Sequence, residues 1–449
     1  MKPQDTPKFK KEQWKFIIYS MIAYMFFYIT RKNLSMAQPG MLDEGVITKQ
    51  ALGVIMTVHG VLYGLSRFVN GFWADRLNGR IFMTIGLAFS ALMNFFFGCT
   101  SLTILFAVFW IVNGWSQGMG FPPCAKMLTH WIHPKELATK MSIWNTSHSF
   151  GSVLALGLCC YLLAPSGWTE SLNLFFVKFS SVHVRTGMGL DWRWCFYVPA
   201  VLAALAAVFC FFFVKDGPGE AGLEELDLSD VRGETEPQEK QRMVTDADRR
   251  RLVFTNRVIW LCALANFSVY VVRFGFLDWG PTFLKEYKGI PVEKGGLMII
   301  AFELAAVVGT IFAGWVTDKF FGGRGVRTCV ICMLMAGLCA LGFWWLPSTA
   351  SAWQGTLLLM GTGFFIYGPQ ALIGITAAQQ ATNDAAAMAN GFMGIMGYAA
   401  TTVSGIGIAY ISTKLGWNAA LLSIGGFALV GMVFFLFAWN ANATGYGKK

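Results

Sequence analysis

The chain has 449 residues, 55% apolar and 13% charged, with mean hydropathy +0.51 and a formal net charge of +10. Soluble domains usually carry about 25% charged residues, so this composition leaves too little polar surface for water and makes the chain a membrane protein. The 49 glycines show no three-residue period and the ten cysteines are diluted along the chain, which excludes collagen-like and disulfide-scaffold classes; a basic excess that would suggest nucleic acid in a soluble chain first reports orientation here.

At 1.5 Å rise per residue, ~20 mostly apolar residues cross the hydrocarbon. Windows of that size fall near 14–36, 51–74, 81–100, 103–127, 137–163 and 194–214, then near 256–280, 294–316, 326–346, 352–378, 385–411 and 418–440. The first follows the basic stretch Lys2 to Lys15, lacks a small-residue cleavage site and runs on into Arg31 and Lys32, so it reads as a retained span rather than a signal peptide. Of the 35 Lys and Arg, 22 lie on the side that holds both termini and the long central loop, and eight lie on the other. Positive charge marks the cytoplasmic side, which places both termini and that loop in the cytoplasm. Five basic residues remain within or at the edges of spans: Arg31, Lys32, Arg67, Lys126 and Arg273. Cysteines in apolar windows act as small hydrophobes, and Cys329-x-x-Cys332 has no second pair or nearby histidine, so it reads as packing. No cofactor or metal is expected.

The stretch 215–255 is long, polar and mixed in charge, and carries the run Arg249 to Arg251. It reads as a cytoplasmic linker between an N-terminal six-helix bundle over 1–214 and a C-terminal one over 256–449. Features repeat across it at a near-constant offset: Arg31 and Arg273 differ by 242, Pro39 and Pro281 by 242, Asp75 and Asp318 by 243. The last pair lies in matching patterns, Gly71-x-x-x-Asp75-Arg76-x-x-Gly79-Arg80 and Gly314-x-x-x-Asp318-Lys319-x-x-Gly322-Gly323-Arg324. Glycine permits close helix approach, and the acid with its basic neighbour can pair across a loop or with a helix end. Gly71, Asp75, Arg76, Gly314, Asp318 and Lys319 are therefore candidates for a conformational role. The pattern resembles the loop signature of the major facilitator superfamily. That resemblance implies an all-α membrane fold of twelve transmembrane helices in two pseudo-symmetric six-helix bundles, working by alternating access.

Arginine in hydrocarbon costs at least ~2.5 kcal/mol, so such residues usually face a wet cavity. Arg31 and Arg273 each stand 17 residues after the start of their window, at Trp14 and Asn256, and so share a depth. Two planar forks converging on one point suit a small oxyanion, above all phosphate. Snorkelling to the headgroups is the alternative, and the symmetry of the pair argues against it. Tyr24 and Tyr28 precede Arg31 by seven and three residues and Tyr270 precedes Arg273 by three, spacings that put them on or near the arginine faces. Arg67 is a third basic group, open to pairing with Glu303, the one acid within an apolar span. His148 and Asn145 are three apart in the fifth span; a histidine there could donate to an anion or hydrogen-bond a neighbouring helix.

Within the superfamily, several stretches look like the organophosphate:phosphate antiporters: Tyr-x-x-Arg-Lys-Asn-Leu-Ser (28–35), Tyr-Gly-Leu-Ser-Arg-Phe (63–68), Asn-Gly-Trp-x-Gln-Gly-x-Gly-x-Pro-Pro-Cys (113–124), Trp-Asn-x-x-His (144–148), Tyr-Val-Val-Arg (270–273) and Tyr-Gly-Pro-Gln-x-Leu-Ile-Gly (367–374). The resemblance implies phosphate binding by Arg31 and Arg273, with Tyr24, Tyr28, Arg67, Asn145, His148, Tyr270 and Tyr398 lining the cavity. Position 67 is arginine where lysine is common in the family, and Phe121 stands where some members have tryptophan. The fifth- and seventh-span stretches resemble the hexose-phosphate branch. The expected function is exchange of a sugar phosphate, such as glucose 6-phosphate, for inorganic phosphate, by a monomer in a bacterial inner membrane with no nucleic-acid partner. A membrane sensor of external sugar phosphate with the same fold is the main alternative, and a proton-coupled anion carrier using Glu303 a weaker one. No GxxxxGK[ST] motif supports an ATP-driven pump, and no nucleophile-base pair or metal-ligand cluster supports an enzyme.

Overall fold

A segment in hydrocarbon must satisfy its own amides, and a helix does so within one stretch of chain. The computed structural model describes residues 3–165, 169–171, 183–185, 188–227, 246–347 and 350–441. Helices α1 (Pro7–Asp43), α2 (Lys49–Arg76), α3 (Gly79–Cys99), α4 (Thr103–Gln117), α5 (Phe121–Trp131), α6 (Pro134–Asn145), α7 (Ser147–Leu163) and α8 (Trp194–Phe213) precede the central loop. Helices α9 (Asp246–Phe254), α10 (Arg257–Lys288), α11 (Val292–Phe321), α12 (Gly325–Trp345), α13 (Ala352–Ala399), α14 (Ile408–Lys414) and α15 (Gly416–Phe437) follow it. Two short strands, β1 (Thr169–Ser171) and β2 (His183–Arg185), pair antiparallel within the loop between α7 and α8, with Glu170 opposite Val184.

Among the described residues, eleven segments are long and apolar enough to cross a membrane. The first expected span lies in α1, which at 37 residues has ample length but is interrupted by Lys15, three tyrosines and Arg31. Two windows expected as single helices are broken. The fourth is α4 and α5, parted at Gly118 to Gly120, where Pro122 and Pro123 restart the helix. The fifth is α6 and α7, parted at Thr146. Conversely, helical backbone joins the tenth and eleventh windows through α13. The symmetry-related prolines, Pro39 and Pro281, both lie inside helices.

The chain divides into two compact units. The first comprises Met1–Asn33, Leu62–Ala155 and Arg193–Met243. Here α3 packs against α4 and α8, and a buried polar network ties them to α1. The Thr30 carbonyl accepts from Asn94 Nδ2 and Asn113 Nδ2, both at 3.1 Å, and Gln117 Nε2 donates to Thr30 Oγ1 at 3.0 Å. Asn33 Nδ2 donates to Asn94 Oδ1 and to the Cys195 carbonyl, both at 2.8 Å. Buried polar groups cost free energy unless paired, so these bonds fix the turn of α1 that carries Arg31. The first part of the central loop is fastened to this unit. Asp216 Oδ1 accepts from the Gly79 amide at 2.6 Å, Trp131 Nε1 donates to the Lys215 carbonyl at 3.1 Å, and Gln4 and Asp227 exchange two hydrogen bonds.

The second unit comprises Leu34–Val61, Leu156–Trp192 and Val244–Lys449. Its centre is α13, against which α10, α11 and α12 pack. The α11–α13 crossing is close: a Cβ at Gly309 would strike the Phe364 carbonyl oxygen and one at Gly363 that of Phe302. Gly309→Val is expected to destabilise the protein by at least ~1–3 kcal/mol through overpacking. A lowered melting temperature of the purified protein checks this, and an unchanged one would refute the crossing. Between α13 and α14 a π-helical turn, Val403–Gly407, leaves backbone groups for other partners. Trp279 Nε1 donates to the Ser404 carbonyl at 2.7 Å, and Thr57 Oγ1 accepts from the Ile406 amide at 3.1 Å.

Candidate functional site

In the first unit, α1 brings Tyr24, Tyr28 and Arg31 to one region. The Arg31 Cζ lies 4.0 Å from the Tyr28 ring centre and 4.8 Å from that of Tyr63, so the guanidinium stacks on two tyrosines. Tyr28 is 5.7 Å, ring to ring, from His148, whose Nδ1 is 3.0 Å from Ser149 Oγ. Tyr24 packs on Trp144 at 4.8 Å and on Tyr28 at 5.6 Å. The Arg67 Cζ lies 3.9 Å from the centre of the Phe121 ring, which itself meets Trp144 at 5.9 Å. Small residues make the approach possible: a Cβ at Gly151 would lie 2.7 Å from the Met25 carbonyl oxygen and the Tyr28 Cβ, and one at Gly120 would lie 3.1 Å from Phe27. The motif over 113–124 is thereby explained, since Asn113 and Gln117 hold Thr30 while the glycines admit α1 and α2.

In the second unit, Arg273 is buried on α10, with its Cζ 4.7 Å from the Tyr367 ring, 5.6 Å from Phe274 and 5.9 Å from Tyr270. Tyr367 is hydrogen-bonded to Arg273 and donates its own hydroxyl to Glu303 Oε2 at 2.9 Å. Tyr270 meets Tyr398 edge-on at 5.9 Å, and Asn266 Nδ2 donates to the Met393 carbonyl at 2.7 Å, holding α10 to α13 beside that pair. Each unit thus presents an arginine stacked on the tyrosine three residues before it and on a second tyrosine from another helix. A planar guanidinium of this kind matches a planar or tetrahedral oxyanion in bidentate geometry.

Seven of the expected site residues therefore fall in two clusters: Tyr24, Tyr28, Arg31, Arg67 and His148 in one, Tyr270 and Arg273 in the other, with Tyr398 beside the latter. Asn145 ends α6 with an exposed side chain, just before the break at Thr146. Glu303, open to pairing with Arg67 on sequence grounds, accepts from Tyr367. Tyr63 and Tyr367 escaped sequence reasoning although both stand in family-like motifs, because each meets its arginine across helices, a pairing that spacing within one helix does not show. At the loop signatures, a Cβ on Gly71 or Gly314 would meet open space among the described residues, so neither glycine marks a tight crossing there. Arg76 ends α2 and is exposed, and Lys319 lies over Trp315 at 4.9 Å. Asp318 is exposed, whereas the Asp75 side chain lies outside the described residues. Lys126 donates to the Ala74 and Leu77 carbonyls at 3.1 and 2.9 Å, capping the end of α2. All ten cysteines are free thiols, and among the described residues no group of His, Cys, Asp or Glu is placed to hold a metal ion.

A chain of membrane-crossing helices with arginines embedded beside tyrosines is of the transporter class. Residues 20–405 match the profile of the Major Facilitator Superfamily. The chain is 32% identical to a "Probable hexose phosphate transport protein" of Chlamydia pneumoniae, over 99% of this chain and 96% of the relative. It is 31% identical to a glycerol-3-phosphate transporter of Bacillus subtilis, over 97% and 94%, and 30% identical to the membrane sensor protein UhpC of Escherichia coli, over 90% and 87%. The crystal structure of a bacterial homologue of the human lysosomal transporter Spinster superposes with a TM-score of 0.74 at 15% identity, covering 95% of this chain and 97% of that one, a likeness of fold. The chain belongs to the Major Facilitator Superfamily and, within it, to the organophosphate:phosphate antiporter branch. It is a multi-pass integral membrane protein of a transporter family and not an enzyme.

Proposed function

We propose that the protein exchanges a sugar phosphate, with glucose 6-phosphate the first candidate, for inorganic phosphate by alternating access in a bacterial inner membrane, both termini being cytoplasmic and the two six-helix halves, 1–214 and 256–449, moving about the linker 215–255. The observation that carries this reading is the matched pair of arginines, each stacked on tyrosines and 242 residues apart. Arg31 and Arg273 bind the phosphoryl group; Tyr24, Tyr28, Arg67, Asn145, His148, Tyr270 and Tyr398 surround the remainder. Gly71, Asp75, Arg76, Gly314, Asp318 and Lys319 act at the cytoplasmic loops during switching. Exchange follows if an anion binds the switching form of the carrier better than the resting form and so shifts the population toward it.

Counterflow in proteoliposomes loaded with labelled phosphate tests the reading. External glucose 6-phosphate is expected to accelerate label efflux beyond glycerol 3-phosphate, and no acceleration by any sugar phosphate would sink the substrate assignment. A second expected result concerns Tyr367, which links Arg273 to Glu303. Tyr367→Phe keeps the ring but removes both hydrogen bonds, each worth about 1 kcal/mol net, so phosphate affinity should fall by up to roughly 30-fold. Titration calorimetry reads the change, and unchanged affinity would remove Tyr367 from the site. The sensor reading is kept alive by the similarity to a membrane sensor protein; binding of sugar phosphate with no counterflow would favour it.

A further inference from the structure

The turn of α4 that runs from Asn113 to Gln117 touches both helices that meet at Arg31. On one side Asn113 Nδ2 donates to the Thr30 carbonyl of α1 at 3.1 Å, and Gln117 Nε2 donates to the Thr30 hydroxyl at 3.0 Å. On the other, the Trp115 carbonyl accepts from Ser66 Oγ of α2 at 2.5 Å, and Asn70 Nδ2 donates to that same Ser66 oxygen at 2.7 Å. Gly118, directly after the turn, lets α2 come this close: a Cβ there would strike the Ser66 side chain and lie 2.9 Å from the Arg67 amide nitrogen. Thr30 is the residue before Arg31, and Ser66 stands three residues after Tyr63, on the same side of α2. The two rings that flank the Arg31 guanidinium, Tyr28 from α1 and Tyr63 from α2, are therefore spaced by one turn of a third helix.

These contacts do more than local stability asks. Helix α1 is unbroken through this region, so its backbone groups satisfy one another, and a leucine at 94 or 113 would be buried with no polar group to desolvate. What the amides add is register. An apolar contact tolerates sliding, whereas a hydrogen bond weakens steeply once its geometry is lost, and a buried amide fixes helix alignment at some cost in stability. Register matters at Arg31, because a binding fork has to be held within roughly 0.5 Å of its working place. It is also at risk there. Helix α1 leaves the first unit between Asn33 and Leu34, two residues past Arg31, and a continuous helix would carry a shift of residues 34–43 straight back to the guanidinium.

We propose that Asn113 and Gln117, with Asn94, are positioning residues for phosphate binding: they clamp Thr30 while the Trp115 carbonyl holds Ser66, and so keep Arg31 between Tyr28 and Tyr63 when the rest of α1 moves. This role rests on the reading of Arg31 as a phosphate ligand, since the amides act through Arg31 and not on the anion.

Phosphate exchange by the full chain in proteoliposomes, with KM and maximal rate measured separately, tests this. Asn113→Leu and Gln117→Met keep the volume and remove the donors; each is expected to raise the phosphate KM about fivefold, the factor that one net hydrogen bond supports, with the maximal rate per folded carrier changed less than about twofold. Thr30→Val, which keeps the shape and loses the hydroxyl that Gln117 meets, should do the same, and Thr30→Ser should restore the parent KM. The Thr30 pair leaves every amide in place and decides the matter should Asn113→Leu fail to fold. Added to Arg31→Lys, Asn113→Leu should raise KM less than about twofold further, because the group it positions is gone. A purely structural role would lower the melting temperature and the amount of folded carrier and leave KM alone, so a parent KM in Gln117→Met and Thr30→Val would overturn the proposal. A full fivefold rise that persists beside Arg31→Lys would overturn it as well. Parent KM in Arg31→Lys itself would remove the phosphate-ligand reading and this role together, whereas a raised KM there with parent KM in the clamp variants removes this role alone.

Discussion

Arg273→Lys is expected to lower phosphate exchange in proteoliposomes about 100-fold, and Arg31→Lys to do the same, although charge is kept in both. A charge-assisted hydrogen bond contributes ~1.5–3 kcal/mol, a factor of about 10 to 150 in binding. Lysine offers a point charge where arginine offers a planar fork. It also forfeits the flat contact that sets the guanidinium 4.0 Å above Tyr28 and 4.7 Å from Tyr367. A shorter, strongly hydrated ammonium at a buried position would be drawn toward the nearest acceptor; at position 273 Glu303 is already engaged by Tyr367. Arg67→Lys serves as the contrast. Lysine is common at that position in the antiporter family, and Arg67 lies over Phe121 rather than between two tyrosines, so near-normal exchange is expected. Near-normal exchange in Arg31→Lys or Arg273→Lys would reject the forked contact, whereas equal loss in all three variants would point to misfolding.

The parts of this site that could be read in the sequence are those set by the chain's own period. Arg31 and Arg273 stand at the same place in their long apolar windows, and the tyrosines three residues earlier follow from helical spacing alone. The second tyrosine over each arginine was hidden, because Tyr63 and Tyr367 reach their partners through helix packing that no spacing within one element encodes. The same holds for the network around Thr30, in which Asn94, Asn113 and Gln117 come from two other helices. Hydropathy windows also missed the breaks. Thr146 and the Gly118 to Gly120 stretch lie within apolar sequence, so a sliding average passes over them while the backbone does not. Asn145 and His148 are three apart, but the break at Thr146 stands between them, so helical spacing alone does not set them on one face. The anchored first part of the central loop was masked by its charge, for Asp216 and Glu220 look like solvated linker residues until their bonds to Gly79 and Arg80 are seen.

Joining positions 43 and 285 covalently is expected to stop exchange altogether. Within the second unit, the C-terminal end of α1 and the start of α2 pack on α10, α14 and α15. Asp43 pairs with Lys285, and Lys49 pairs with Glu286, which also accepts from Trp417 Nε1 at 2.7 Å. Deeper, Thr282 Oγ1 donates to Gln38 Oε1 at 3.2 Å and Thr57 Oγ1 to the Thr401 carbonyl at 2.9 Å. A Cβ at Gly53 would lie 2.8 Å from the Gly405 carbonyl oxygen, so the helices touch along their backbones. The proposed alternating access requires this end to part and close again in each cycle, and its bonding suits that task. The Asp43–Lys285 side chains are 62% and 32% exposed, and exposed ion pairs contribute only ~0.2–1 kcal/mol. Asp43→Ala alone should therefore change the exchange rate less than about fivefold. Cysteines at 43 and 285, joined by a short thiol-reactive linker after Cys99, the exposed native cysteine, is replaced by serine, should bring exchange to the level of empty liposomes. Cleaving the linker should restore it. Exchange at the unlinked rate in fully joined protein would show that this end never opens, and with it the rocking mechanism would fall.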